Sequence, residues 1–291
     1  MSTSVGRRLA ILLLCLASCA TVPVVRPVAD SWALFPEDTD IYVYAKTDSH
    51  TELLRSVLGG LTSSPGDIDS ILANTRKLFG GVRLTEGDPD VWIAAEGDFA
   101  PTLMSVRMNM DAEWSKSIEP ELYWTHKRNH LKVSFPDNTL ILLTNTDMLQ
   151  LLERRKDPRP ASIPDEVAYA VRVSDAVTFV PHVPPGLFQT LGFDFDPPVR
   201  TVWLAVENTG EAYVFSAWFL LPGEREAQAF VLAVRLALVS WMRALGIPDL
   251  PARLKEIQIV AQGAVVKLCG LKLRYEVISS SLAAVLPEWS E

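Results

Sequence analysis

From Gln228 to Arg243 the chain is apolar at nearly every position, interrupted by Arg235 and Ser240, and only a large buried surface or a membrane can accept such a composition. At about 100° per residue, the stretch Arg225–Leu245, REAQAFVLAVRLALVSWMRAL, divides into three sectors on a helix. Glu224, Arg225, Gln228, Arg235 and Arg243 share a narrow arc; Ala229, Ala233, Ala244 and Ser240 lie beside it; Phe230, Val231, Val234, Leu238, Trp241, Met242 and Leu245 fill the remainder. That is more bulky apolar surface than a half-exposed helix carries. A transmembrane reading fails on Arg235, near the midpoint, where an arginine costs about 2.5–3.5 kcal/mol at a bilayer centre. Two accounts stay open: a core helix packed on a sheet, and an interfacial helix that enters a lipid surface or lines an apolar cavity through Phe230, Val231, Val234, Leu238, Trp241 and Leu245.

The N-terminus sets the compartment. Arg7 and Arg8 precede the short apolar run Leu9–Leu16, which has the form of a secretory signal and is too short to span a bilayer. Leu16-Ala17-Ser18-Cys19 follows directly and resembles the lipobox of bacterial lipoproteins, in which cleavage leaves a lipid-modified cysteine as the first mature residue. The resemblance implies removal of residues 1–18 and acylation of Cys19; the bland alternative is a plain signal with a chance cysteine. Several acyl chains, at about 0.8 kcal/mol per buried CH₂, make a stable anchor. Residue 20 is Ala rather than Asp, which under the sorting rule of many Gram-negative lipoproteins favours the outer membrane. With Cys15 removed and Cys19 acylated, Cys269 has no intrachain disulfide partner and reads as a structural thiol. Thr21–Val28 is an extended tether.

The 291 residues are 48% hydrophobic and suffice for one large core or two modest ones. Outside the signal, 25 basic residues stand against 35 acidic ones, a balance that argues against a nucleic-acid partner. Alternation and helical spacing predict a strand at 40–46, helices at 49–58 and 67–79, a strand at 90–96, a helical or mixed segment at 101–110, and short strands at 122–126, 131–135 and 139–144. A helix at 146–154 follows. The proline- and charge-rich segment 155–165 is the best internal boundary. Beyond it, Val167–Asp175 resembles Ile41–Asp48 as an apolar aromatic strand ending in a basic residue and an acid. Residues 176–198 read as irregular, and a hairpin turns at Asn208-Thr209-Gly210. After the long helix, strands at 255–261 and 265–274 and a final helix at 276–286 close the chain.

The expected fold is α+β in two related halves, each a mainly antiparallel sheet with helices packed on it. The layout is a signal peptide (1–18), a lipidated tether (19–35), a first half (36–157) and a second half (158–291) carrying the long amphipathic helix 224–246.

Catalytic chemistry finds little support. The sequence has no P-loop, no G-x-G-x-x-G, no G-x-S-x-G and no C-x-x-C. His126 and His130 are four apart, but in a strand-and-turn context where that spacing need not converge. Asp194 and Asp196 alternate without further oxygen ligands in sight, and His50 and His182 give no triad. No metal, cofactor or enzymatic activity is expected.

A lipobox chain of this length, with α/β halves and several amphipathic helices, one of them outstandingly apolar, resembles the treponemal outer-membrane lipoproteins that sit on the periplasmic leaflet and insert amphipathic helices into lipid. The resemblance implies a non-enzymatic protein, held on the periplasmic side of the outer membrane, that binds lipid or a long apolar ligand or perturbs the bilayer, and that shifts between closed and membrane-embedded states. The other class that fits is an envelope scaffold or assembly lipoprotein docking a protein partner through the same apolar face.

Overall fold

The computed structural model describes residues 31–59, 65–159, 162–186, 188, 196–244, 250–275 and 277–278. The signal segment, Cys19, Asp194, Leu245 and nearly all of the expected final helix lie outside them.

A 3-10 turn at Ser31–Leu34 leads into β1 (Ile41–Lys46), α1 (Thr47–Gly59) and α2 (Pro65–Asn74). Then come β2 (Thr75–Arg83), β3 (Asp90–Gly97), α3 (Pro101–Met110), β4 (Trp114–Ser117), β5 (Tyr123–His126), β6 (Lys132–Asp137), β7 (Leu140–Thr144) and α4 (Met148–Lys156). Past the proline-rich boundary come α5 (Asp165–Val173), β8 (Ala176–Val180), β9 (Thr201–Asn208), β10 (Tyr213–Leu220), α6 (Glu224–Ala244), α7 (Leu250–Glu256), β11 (Gln258–Gln262) and β12 (Val265–Leu273).

The twelve strands of the described residues lie in one antiparallel sheet, ordered β11-β12-β10-β9-β8-β1-β2-β3-β7-β6-β5-β4. The α+β, antiparallel character is as expected, and the strands from both sides of the boundary share this sheet. They join at a seam where β1 pairs with β8, Tyr42 opposite Phe179 and Tyr44 opposite Val177. Outward from the seam the order repeats: β1-β2-β3-β7-β6 on one side and β8-β9-β10-β12-β11 on the other, a three-strand meander followed by a strand that returns after a helix.

Strand alternation assigns the helices to faces. Tyr42, Tyr44, Phe79, Trp92, Leu140, Leu142, Phe179 and Trp203 point to one face, where the 3-10 turn, α4 and α5 cover them with Trp32, Phe35, Met148, Leu151, Val167 and Val171. Trp32 stacks edge-on to Tyr42 at 5.6 Å and donates its indole N–H to the Val43 carbonyl. The opposite face carries α1 and α2 near the seam, with Leu54 and Leu72 on Ala45. There α3 lies towards one end, over Ala95, Val133 and Ile141, and α6 towards the other, over Ala217, Val266 and Leu268.

Four local expectations change. Residues 75–79 are the start of β2, not the end of a helix, and Gly80 and Gly81 continue the strand instead of stopping one. A Cβ at Gly81 would come within 2.9 Å of the Phe35 ring, so the glycine is there for close approach. Val167–Val173 is helical, since its apolar positions Val167, Ala170 and Val171 are spaced to press on one face. The stretch taken as irregular contains β8, the seam strand. Strand β4, on the far edge, was not foreseen. The long helix, the hairpin β9–β10 and strands β1, β3 and β5–β7 fall where alternation placed them, to within a few residues.

Candidate functional site

Helix α6 opens with Glu224 and Glu226 in its first turn and closes with Arg243 in its last, charges that complement the helix dipole at both ends. Its inner side is Ala227, Phe230, Val234, Leu238 and Met242, all buried. Phe230 meets the Phe219 ring of β10 at 5.3 Å and Phe188 at 6.4 Å. Ile259, Val266 and Leu268 complete the contact, with Val231 packed at its margin. Burying side chains of this size stabilises by about 1.5–3 kcal/mol each, which explains why the helix sits on the sheet.

Three of the residues singled out for lipid contact, Phe230, Val234 and Leu238, are therefore packed inside the domain in this structure, and Val231 is half-buried. Trp241 is 36% exposed. The outward side is formed by two residues the helical wheel did not favour: Leu232 and Leu236 are each 63% exposed and lie one turn apart. Around them Arg225, Gln228, Arg235 and Arg243 are exposed. The two leucines share the arginine arc and were obscured by it; their signal was bulky residues within a polar sector.

Helix α3 has no buried residue at all. It begins with Pro101, suited to a first helical turn, and Met104 half-inserts among Ala95, Phe99, Val133 and Ile141. The Trp124 indole N–H donates to Asn109 at 3.1 Å. Leu103, Val106 and Met110, at i, i+3 and i+7, form a stripe facing solvent, 68%, 48% and 82% exposed. Both helices with outward apolar stripes thus ride on the same face of the sheet, each in the equivalent place after the third strand of its meander.

Between them, α1 kinks at His50, whose φ of −137° and ψ of 22° leave the helical region. The ring is buried, stacks on Tyr213 of β10 at 5.4 Å, and among the described residues has no hydrogen-bond partner at either nitrogen. Burial pushes its pKa below the usual histidine value. Beside it Asp175 accepts from Lys46 Nζ at 3.1 Å and from the Asn208 N–H at 2.9 Å, while the Asn208 amide donates to the Ser49 carbonyl at 2.6 Å. Burial alone would raise the Asp175 carboxyl; the Asn208 N–H and Lys46 ammonium more than offset it, leaving it below the ordinary carboxylate range. Leu54 of α1 is buried, whereas the side chains of Leu53, Val57 and Leu58, with all of Leu61, lie outside the described residues.

The remaining candidates stay apart. His126 closes β5 against Trp114, with its Nε2 3.7 Å from Glu113, while His130 holds a φ of 56° in the following turn. Asp196 accepts the Gly186 N–H in a loop. Cys269 is a half-buried free thiol on β12. Among the described residues no three His, Cys, Asp or Glu side chains converge on a common point, and no helix is long and apolar enough to cross a membrane.

The class defined by this geometry is an α+β protein with one antiparallel sheet between two helical layers, one layer presenting arginine-flanked apolar stripes outward. The chain belongs to the family of the outer membrane-associated lipoprotein TP0453, whose sequence profile matches residues 26–214. Its fold is similar to that of TP0453 in several crystal forms. Form I superposes with a TM-score of 0.68 at 14% identity, covering 90% of this chain and 98% of that one. Form III gives 0.65 at 14% identity over 90% and 99%, and form IV 0.63 at 14% over 89% and 97%. At this identity the likeness shows the fold. No curated protein sequence matches the chain. The profile match stops at residue 214, before α6, so the long helix enters the comparison through structure.

Proposed function

We propose that this outer-membrane-associated lipoprotein is anchored on the periplasm-facing leaflet through acyl chains on Cys19, and rests on the lipid surface with the outer stripes of α3 and α6. The observation that carries the reading is the pair of stripes, Leu103–Val106–Met110 and Leu232–Leu236, left solvent-facing on helices whose other sides lie against the sheet. A monomer that rests in water has little reason to keep leucine at those positions; an interfacial helix needs it, with arginines at the waterline. Arg225, Arg235 and Arg243 would each add about 1 kcal/mol of attraction to an anionic leaflet. Trp241 has the amphipathic body of an interface residue. Phe230, Val234 and Leu238 join the lipid or an apolar ligand only in a state where α6 has lifted from the sheet. The role is binding and not catalysis.

The test is flotation of the unlipidated chain on anionic vesicles. Leu232→Glu/Leu236→Glu and Val106→Glu/Met110→Glu should each reduce the bound fraction severalfold with circular dichroism unchanged. Unchanged flotation in both variants would defeat the reading, and a stoichiometric protein partner captured without lipid would favour the scaffold class instead.

A further inference from the structure

On the face opposite α3 and α6, a cavity of about 560 Å³ opens where the start of β1 meets the end of β8. Arg159, Ser162 and Pro164, between α4 and α5, line one wall, so both sides of the seam build it. The floor is aromatic, with Tyr42 and Phe179 buried.

The charges around this floor are divided. Arg154 and Arg159 share one carboxylate: Glu37 Oε1 lies 3.4 Å from Arg159 Nη1 and 4.0 Å from Arg154 Nη2. Asp38, also in the lining, is paired with Arg83 at 2.5 Å, so the two guanidiniums on Glu37 leave a local positive excess, and the exposed ring of His182 adds a hydrogen-bonding group. Asp40 supplies the opposite excess. Its carboxylate accepts the Leu84 N–H at 2.7 Å, and no described basic side chain pairs with it. A bare anion would gain the guanidiniums but meet the carboxylates, and a bare amine would meet the reverse. A ligand carrying both charges on a short arm satisfies both sides. The cavity volume lies within the range of small-ligand sites.

We propose that this cavity binds a phosphate bearing a short amine arm, the chemistry of a phosphoethanolamine headgroup, with the phosphate on Arg159 and His182 and the ammonium on Asp40. The site is separate from the helical stripes, and its occupancy by a soluble ligand does not require membrane contact. Tyr42, whose hydroxyl burial pushes up, remains a neutral group in the lining.

The test is calorimetric titration of the full unlipidated chain with glycerophosphoethanolamine, inorganic phosphate and ethanolamine. The expected result is saturable binding of the first, with the other two weaker by about tenfold or more. Asp40→Asn, which keeps the acceptor for the Leu84 N–H, and Arg159→Gln should each weaken it by about tenfold without changing the melting temperature. Leu232→Glu/Leu236→Glu should leave it intact, which separates this site from the lipid-contact reading. Equal affinity for inorganic phosphate, or no binding of the diester at millimolar concentration, overturns the proposal. The source is read from vesicles: if Asp40→Asn lowers binding to phosphatidylethanolamine vesicles but not to phosphatidylglycerol ones, the ligand is a membrane headgroup. Equal binding of wild type and variant to both, with the soluble titration still lost, makes it a free compound.

Discussion

Arg235 Nη2 donates to the carbonyl oxygen of Ile259, 3.3 Å away, so the arginine that interrupts the apolar run of α6 ends on the outermost strand of the sheet. An edge strand presents backbone groups without a neighbour, and β11, with the sequence QIVAQ, has neither charge nor proline to protect it. The charge that excludes a transmembrane reading thus also covers part of this edge. Arg235→Ala should cost about 0.5–1.5 kcal/mol in urea denaturation, because water takes over the freed carbonyl. Amide exchange near Ile259 and Val260 should quicken more than exchange in β1.

The two sides of α6 should respond differently to truncation. Leu238→Ala opens a cavity between helix and sheet and should cost about 2–4 kcal/mol. Leu232→Ala, on the exposed side, should stay within about 0.5 kcal/mol. Denaturant midpoints of the two variants check this; equal losses would mean that the outer leucine is also packed.

His50 and the carboxylates give stability two separate pH windows. A histidine whose folded pKa is lowered binds its proton in the unfolded chain first, so stability falls as pH drops below about 6.5 and levels off beneath the lowered folded value. The slope is at most about 1.4 kcal/mol per pH unit for one proton. The ring faces Asp175 of the β8 end, Asp48 of its own helix, Lys46 of β1 and Tyr213 of β10. His50→Phe, which can keep the stack on Tyr213, should flatten the melting-temperature profile in this window. Asp137 and Asp175, both lowered, act further down: their contribution is full above about 3.8 and is lost as pH falls through their folded values.

Asp175 also joins the two sides of the seam, since its backbone carbonyl accepts the Lys46 N–H at 2.7 Å while its side chain holds Asn208 and Lys46. Asp175→Ala leaves the partly buried Asn208 N–H without its acceptor and should cost about 1–3 kcal/mol. Lys46→Met, which removes only the partly exposed cation, should cost less than about 1 kcal/mol. Comparing the two denaturation curves separates hydrogen bonding from charge.

Local patterns carried the elements whose neighbours are close in sequence. Asn208-Thr209-Gly210 was enough to place the β9–β10 hairpin, and alternation alone located β5–β7. Where packing came from far away, local signals misled. Gly80 and Gly81 read as a helix stop because Phe35, which needs the bareness of Gly81, is more than forty residues upstream. Likewise β8 was hidden because its partner β1 lies well over a hundred residues earlier. Val167–Val173, whose pattern resembles the first strand, is a helix, and the repetition between halves lies in strand order, beginning at β8. At the site, the wheel found the helix but could not say which apolar side the sheet would take; β10 and β12 claimed Phe230, Val234 and Leu238 and left Leu232 and Leu236 outside.

Membrane association through α3 and α6 requires that their face of the sheet, and not the opposite one, meet lipid. Nitroxide labels at positions 236 and 106, with a third at 169 on the opposite face, test this on vesicle-bound protein carrying Cys19→Ser and Cys269→Ser, with collision rates measured against oxygen and a water-soluble nickel chelate. Tyr169 is as exposed as Leu236, so bare exposure cannot explain a difference between them. The labels at 236 and 106 should gain oxygen contact and lose nickel contact on binding, while 169 remains in water. Labels at all three positions staying in water on bound protein, or 169 alone entering lipid, would contradict the account.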